Sequence, residues 1–228
     1  MVARPLLATL AVVTACSHSA ASSSPLPAPA GSSTTTSATT VGGAPAAAAE
    51  VGKPAPDFTL PDTDGHPVHL ADYKGKTVVL EWFNPDCPYV NNAHLKGSLV
   101  TAAKRHEAEG VVWLGINSGA PGKQGYGADA TRAGKAKFGL DHPILLDESG
   151  SIGHAYGATN TPQLFVIDAA GLLAYRGAVD NSPDGEGESP TGGKLVSYVD
   201  QALGDLAAGR AVATPSTKAY GCSVKYGH

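Results

Sequence analysis

From position 58 onward, apolar and polar residues alternate in short blocks whose period switches between two and 3.6. Phe58-Thr59-Leu60 and Val68-His69-Leu70 are alternating runs on either side of the turn pair Asp64-Gly65, which predicts a small hairpin. Residues 77–83 (Thr-Val-Val-Leu-Glu-Trp-Phe) form a dense β-rich run and predict a central strand buried on both faces. Over 88–109, Val90, Ala93, Leu95, Leu99, Ala102 and Ala103 fall near helical spacing, which predicts one helix closed by Gly110. A strand is expected at 111–117, a helix at 129–138 closed by Gly139, a short strand at 143–146 and a helical turn or two at 150–156. Residues 163–168 and 172–177 read as a hairpin turning through Ala169-Ala170-Gly171, and 194–208 as a last helix before an irregular tail. Strand–helix–strand units followed by a hairpin and a helix imply a single α/β domain with a mixed sheet. No internal repeat of about 20–50 residues is visible.

Upstream the pattern vanishes. Residues 17–49 are almost entirely Ser, Thr, Ala, Pro and Gly, with no Lys, Arg, Asp, Glu or aromatic residue. Such a stretch cannot bury enough apolar surface to offset its ordering entropy, so 16–50 reads as a disordered tether with a span on the order of 30 Å. Ahead of it come a positive start (Met1 to Arg4), an apolar run at 5–13, and the small residues Thr14 and Ala15. This is the layout of a secretory signal, assigned to 1–15. Val13-Thr14-Ala15-Cys16 resembles a bacterial lipobox, which implies a lipid on Cys16 and a membrane attachment through it; a plain signal peptide is the alternative. Ser17 is not the Asp that retains many lipoproteins in the inner membrane, so the expected location is extracytoplasmic, with the outer membrane favoured. No apolar stretch reaches the ~20 residues of a transmembrane helix. The folded domain is expected to occupy 51–228.

Charge narrows the partners. The formal net charge is -4 and no run of Lys and Arg stands out, which argues against a nucleic-acid partner. Three cysteines are an awkward number for a secreted chain, but a lipidated Cys16 leaves the even pair Cys87 and Cys222.

The candidate chemistry centres on Glu81-Trp82-Phe83-Asn84-Pro85-Asp86-Cys87-Pro88. Cys87 falls between the predicted central strand and the predicted helix, where free backbone N–H groups and the helix dipole favour a thiolate, the reactive species. Asp86 opposes that effect. Cys222 lies in a tail able to fold back. The pair has three open readings: a redox-active couple, a permanent disulfide, or two separate thiols. The loop Asp180 to Glu188 is acidic and rich in Gly and Pro, lacks the ligand order of an EF-hand, and reads as solvated.

These residues carry a resemblance. The opening Val51-Gly-Lys-Pro-Ala-Pro-Asp-Phe-Thr-Leu60, Gly75-Lys76 before the strand, the strand–Cys87–Pro88–helix unit and Thr161-Pro162-Gln163-Leu164-Phe165 resemble the thioredoxin superfamily, and within it the AhpC/TSA redoxin group. The Asn-Pro-x-Cys-Pro segment and the Gly-Cys-Ser-Val-Lys-Tyr ending resemble its peroxiredoxin-like branch. The resemblance implies a thioredoxin-like fold and a thiol oxidoreductase without organic cofactor, acting on a disulfide of a protein partner or on peroxide. It implies Cys87 as nucleophile, Cys222 as resolving thiol, Pro162 as a cis-proline facing the nucleophile, and Glu81 as a buried proton relay. It further implies that Arg176 supplies a cation near the thiolate. The departures matter as much. Val90, not a second Cys, stands three residues after Cys87, and Asn84 takes the place of the peroxide-binding hydroxyl. Copper(I) chaperones of the same fold suggest a different class of function: a non-catalytic binding module in which Cys87, Cys222 and His94 or His154 hold the metal.

Overall fold

The computed structural model describes residues 48–227. The signal segment expected at 1–15, Cys16 and the tether expected up to residue 47 lie outside these. The expected tether gives out slightly before Glu50, because Ala49 is buried and its N–H donates to Ala155 O at 2.8 Å.

A two-stranded hairpin, β1 (Thr59–Pro61) and β2 (Pro67–His69), leads through a 3-10 turn (Leu70–Tyr73) into β3 (Val78–Trp82). Helices α1 (Pro88–Leu95) and α2 (Ala102–Ala108) follow, then β4 (Val112–Asn117), α3 (Gly127–Phe138) and β5 (Ile144–Leu146). Next come α4 (Ser151–Tyr156), β6 (Asn160–Thr161), β7 (Gln163–Ile167), β8 (Leu173–Gly177), α5 (Tyr198–Ala207) and β9 (Cys222–Ser223). The main sheet runs β5-β4-β3-β7-β8, parallel across β5, β4 and β3 and antiparallel across β3, β7 and β8. This is the expected mixed α/β sheet in a thioredoxin-like arrangement, with β3 at its centre.

Strand periodicity divides the core. Val78, Leu80 and Trp82 face Phe165, Tyr156 and Phe58, where the N-terminal hairpin and α4 cover the sheet. Val79 faces Trp113, Leu164, Ala93, Ala102 and Leu203 beneath α1, α2 and α5. Each such aliphatic or aromatic side chain, fully buried, contributes about 1.5–3 kcal/mol relative to exposure.

Three expectations need correction. The single helix over 88–109 is two helices broken at 96–101. A Cβ on Gly97 would collide with the Gly185 carbonyl, so the residue without a side chain lets a distant loop press against the helix there. The last helix starts at Tyr198 rather than 194, where Ser197 caps it by accepting from Asp200 N. The acidic loop is not a free solvated loop. Asp180 and Ser182 are buried, and Asn92 Nδ2 donates to Asp184 O at 3.0 Å, which fastens the loop to α1.

Candidate functional site

β3 ends at Trp82, the Phe83 N–H beyond it still pairs with Ile116 O, and the chain then turns sharply into α1. Asn84 builds the turn: its Oδ1 accepts from Asp86 N at 2.9 Å and its Nδ2 donates to Gln124 O at 3.1 Å. Cys87 is the N-cap residue of α1, with Pro88 at the first helical position, where a missing N–H costs nothing. Asn91 Nδ2 holds the turn from inside the helix by donating to Cys87 O and Pro85 O. The sulfur is fully buried, packed with Phe83, Val90 and Ile144.

The Cys87 thiol donates to Thr161 O at 3.1 Å, and the Thr161–Pro162 bond that follows is cis. Cys222 meets Cys87 from the tail. β9 pairs antiparallel with β6 so that Cys222 stands opposite Thr161, and the two sulfurs lie 2.6 Å apart. Both are free thiols here, separated by little more than the ~2.05 Å of a disulfide bond. Gly221 makes the approach possible. Its φ is +108°, and a Cβ there would strike the Thr161 carbonyl.

The two thiols sit in different surroundings. Burial pushes the Cys222 thiol up, the bond and charge of Cys87 add to this, and the Tyr89 backbone N–H and Lys225 pull the other way, leaving it at about 11. Cys222 therefore stays protonated in the resting pair. The rate of Cys222 alkylation, followed by peptide mass on the reduced chain, is expected to keep climbing to about pH 11. A plateau by pH ~9, near an ordinary thiol, would contradict this environment.

Glu81 is 1% exposed, so it is not a strand carboxylate reaching solvent. Its Oε1 lies 2.6 Å from His94 Nε2, and its Oε2 accepts from Trp113 Nε1 at 3.1 Å. A carboxyl raised by burial would suit the proton relay that the resemblance implies, but Glu81 is not in that state. Burial pushes Glu81 up, but the His94 charge and hydrogen bond outweigh it and hold the group below the ordinary carboxylate range. His94 in turn stacks on Phe138 at 5.2 Å between ring centres.

The remaining expected residues stand elsewhere. Arg176 on β8 gives its guanidinium to Ala49 O at 2.8 Å, and among the described residues no hydrogen bond joins it to either cysteine. The Asn84 amide serves the turn rather than the sulfur. The ligand set expected for copper(I) is not assembled: His94 is spent on Glu81 and His154 stacks on Tyr226 at 4.1 Å. Among the described residues, only the exposed turn of Asp62, Asp64 and His66 brings three metal-ligating groups together. The sequence reading missed Trp113, the Thr161 carbonyl and Tyr226, and it offered His94 as a metal ligand rather than as the partner of Glu81. Only His94 carried a signal, its seven-residue spacing from Cys87 along a helix.

Comparison with known proteins fits this frame. The family described as Redoxin matches residues 50–194, a span that holds Cys87 and Pro162 and stops before Cys222. The thiol-disulfide oxidoreductase ResA of Geobacillus thermodenitrificans is 34% identical over 133 residues, covering 55% of this chain and 68% of that protein. A Mycobacterium tuberculosis protein, provisionally named a peroxiredoxin, is 30% identical over 138 residues, covering 57% of this chain and 77% of its own. The crystal structure of a hypothetical protein from Sinorhizobium meliloti superposes with a TM-score of 0.68 at 27% identity, covering 78% of this chain and 95% of that one. No helix among the described residues is long and apolar enough to cross a membrane. The family match spans more than half of the chain and carries the strand–Cys87–helix unit and the cis-proline loop, so the chain belongs to the redoxin family.

Proposed function

We propose that the chain is a thiol–disulfide oxidoreductase that works through Cys87 and Cys222. The observation that carries this reading is the 2.6 Å approach of two free sulfurs, one at a helix N-terminus and one on a paired tail strand. The name of the ResA relative supports the same chemistry.

In the reduced chain, Cys87 attacks as thiolate one sulfur of a partner disulfide. The partner S–S bond breaks, a mixed disulfide forms on Cys87, and the partner's other sulfur leaves as a thiolate that takes up a proton. Cys222 then loses its proton and attacks the Cys87 sulfur, releasing the partner's remaining thiol. The chain ends with a Cys87–Cys222 bridge, two electrons poorer, and the partner is reduced by two. An external dithiol returns the pair to the thiol state by the reverse exchange. Peroxide in place of the disulfide is less well served, because the Asn84 amide that replaces the usual hydroxyl is turned to Gln124. Thr161 and Pro162 place the acceptor carbonyl and the backbone edge beside the sulfurs.

On the N-terminal pattern alone, the domain works outside the cytoplasm, on a tether from a lipidated Cys16, with an outer membrane favoured where the cell has one. The test of the activity is turnover. The full chain is expected to accelerate reduction of a protein disulfide such as insulin's by dithiothreitol, in proportion to its concentration. No acceleration over the dithiothreitol background would overturn the reading.

A further inference from the structure

The tail does more than deliver Cys222. It crosses the mouth of the site and is fastened on both sides. Upstream, Thr217 N donates to Arg176 O at 3.1 Å, Ala178 N to Thr217 Oγ1 at 2.9 Å, and Tyr220 OH to the buried Asp180 at 2.8 Å. Between the fastenings, β9 takes the backbone groups of β6, and Val224 N donates to Thr159 O at 3.0 Å. Downstream, Ala120 N donates to Lys225 O at 2.8 Å, and Tyr226 docks on α4. The Tyr226 ring stacks on His154 at 4.1 Å and its hydroxyl donates to Ala158 O at 2.8 Å. Gly150 and Gly153 leave room for that ring; a Cβ on either would press into it.

The upstream fastening is rooted in β8 and the buried Asp180. The downstream one rests chiefly on a single aromatic side chain. Gly221, in left-handed backbone, stands between them as the natural hinge. A sheet edge offers its unpaired N–H and C=O groups to one neighbour at a time. While 222–224 lie on 159–161, an incoming extended segment finds those groups taken and the Cys87 sulfur buried.

We infer that residues 221–226 are a tethered stand-in for the cysteine-bearing segment of a partner protein, and that Tyr226 seated on α4 is the latch that sets access to Cys87. The partner segment this surface fits is extended, pairs antiparallel with 159–161, and presents its sulfur where Cys222 now stands. The inference rests on the reading of Cys87 as the reactive thiol. The strap and the partner use one edge in turn: the strap leaves for the mixed disulfide to form, and its return brings Cys222 onto Cys87.

The test uses the fully reduced full chain with no disulfide present, so it does not depend on turnover. The rates at which a polyethylene-glycol maleimide and iodoacetamide label Cys87 are read by peptide mass. Tyr226→Ala is expected to raise the rate of the bulky reagent about tenfold, the loss of one ring contact and one hydrogen bond, and to raise its ratio to the small reagent. Gly153→Ala evicts the ring from the other side while favouring helix α4, and it carries the test where Tyr226→Ala loses its near-ultraviolet circular dichroism. A Cys87 labelling ratio equal to wild type in a folded variant of either kind would overturn the latch, whether or not the two cysteines cycle. Failure of turnover with a raised labelling ratio would instead leave the latch standing and sink the oxidoreductase reading.

Discussion

Cys87→Ser is expected to abolish disulfide reduction, by on the order of a thousandfold or more, because the attacking sulfur is gone and Ser at this position lacks a general base. Cys222→Ser is expected to fail differently. The first attack survives, the resolving thiol does not, and one equivalent of partner stays attached to Cys87 as a mixed disulfide. Steady turnover then falls to the rate at which external thiol cleaves that adduct. The contrast separates the roles proposed for the two sulfurs, one capping α1 and one carried on β9. Non-reducing mass spectrometry of both variants with a model protein disulfide checks it. Equal loss without an adduct in Cys222→Ser would show that Cys222 does not resolve Cys87.

The second large effect lies beneath α1. His94→Leu strands the Glu81 carboxylate in a site that is almost wholly buried, with only Trp113 Nε1 still bound to it. Breaking one partner of a buried pair typically costs about 3–5 kcal/mol, which for a domain of this size lowers the midpoint of thermal unfolding by roughly 6–20 °C. The pH signature follows from the sign of the shift. In the wild type, Glu81 is held below its ordinary value, so the pair's contribution is fully present above the unfolded carboxylate pKa and fades as pH falls through the folded one. In His94→Leu, burial is opposed only by His142 and the Trp113 hydrogen bond, the weaker of the lowering influences, so Glu81 shifts upward and the deficit shrinks as the pH is lowered toward 5. Denaturant titrations at pH 7 and pH 5 measure this. A deficit below ~1 kcal/mol at pH 7, or one that grows on acidification, would mean that the pair does not stabilise the fold as described.

Much of the fold was legible because local signals agreed with the global arrangement. The dense β-rich run 77–83 implied a strand buried on both faces, and β3 is indeed buried throughout and the middle strand with neighbours on either side. Gly139 ends α3 in left-handed backbone, as its place after the last periodic residue implied. The break between α1 and α2 was not legible. At the break Gly97 lies against a backbone carbonyl from Gly185, far along the chain, and periodicity within 88–109 carries no trace of that contact.

The site divides the same way. Cys87 and Pro162 announce themselves by their place between elements and by their sequence context. β9 does not, since a two-residue strand with one partner has no alternation to read. Glu81 was found as a candidate, but its pairing with His94 was not. Burial alone raises a carboxyl, and the sign turned on His94, a residue whose side chain only the helix brings back over the strand. Asn84 and Arg176 illustrate the converse. Both occupy positions where a family role was expected, and both are engaged by nearby backbone instead.

The central claim is that Cys87 and Cys222 form a reversible couple. The most direct measurement takes the full chain, reduces it with dithiothreitol, removes the reductant, adds one equivalent of a disulfide substrate and quenches with acid at set times. Non-reducing digestion and mass spectrometry then count the peptide in which the two cysteines are joined. The account predicts that this cross-linked peptide is lost on reduction and returns as substrate disulfide is consumed, one bridge for each disulfide reduced. Thiols that stay free while the substrate remains oxidised, or a bridge that dithiothreitol cannot open in the folded chain, would contradict it.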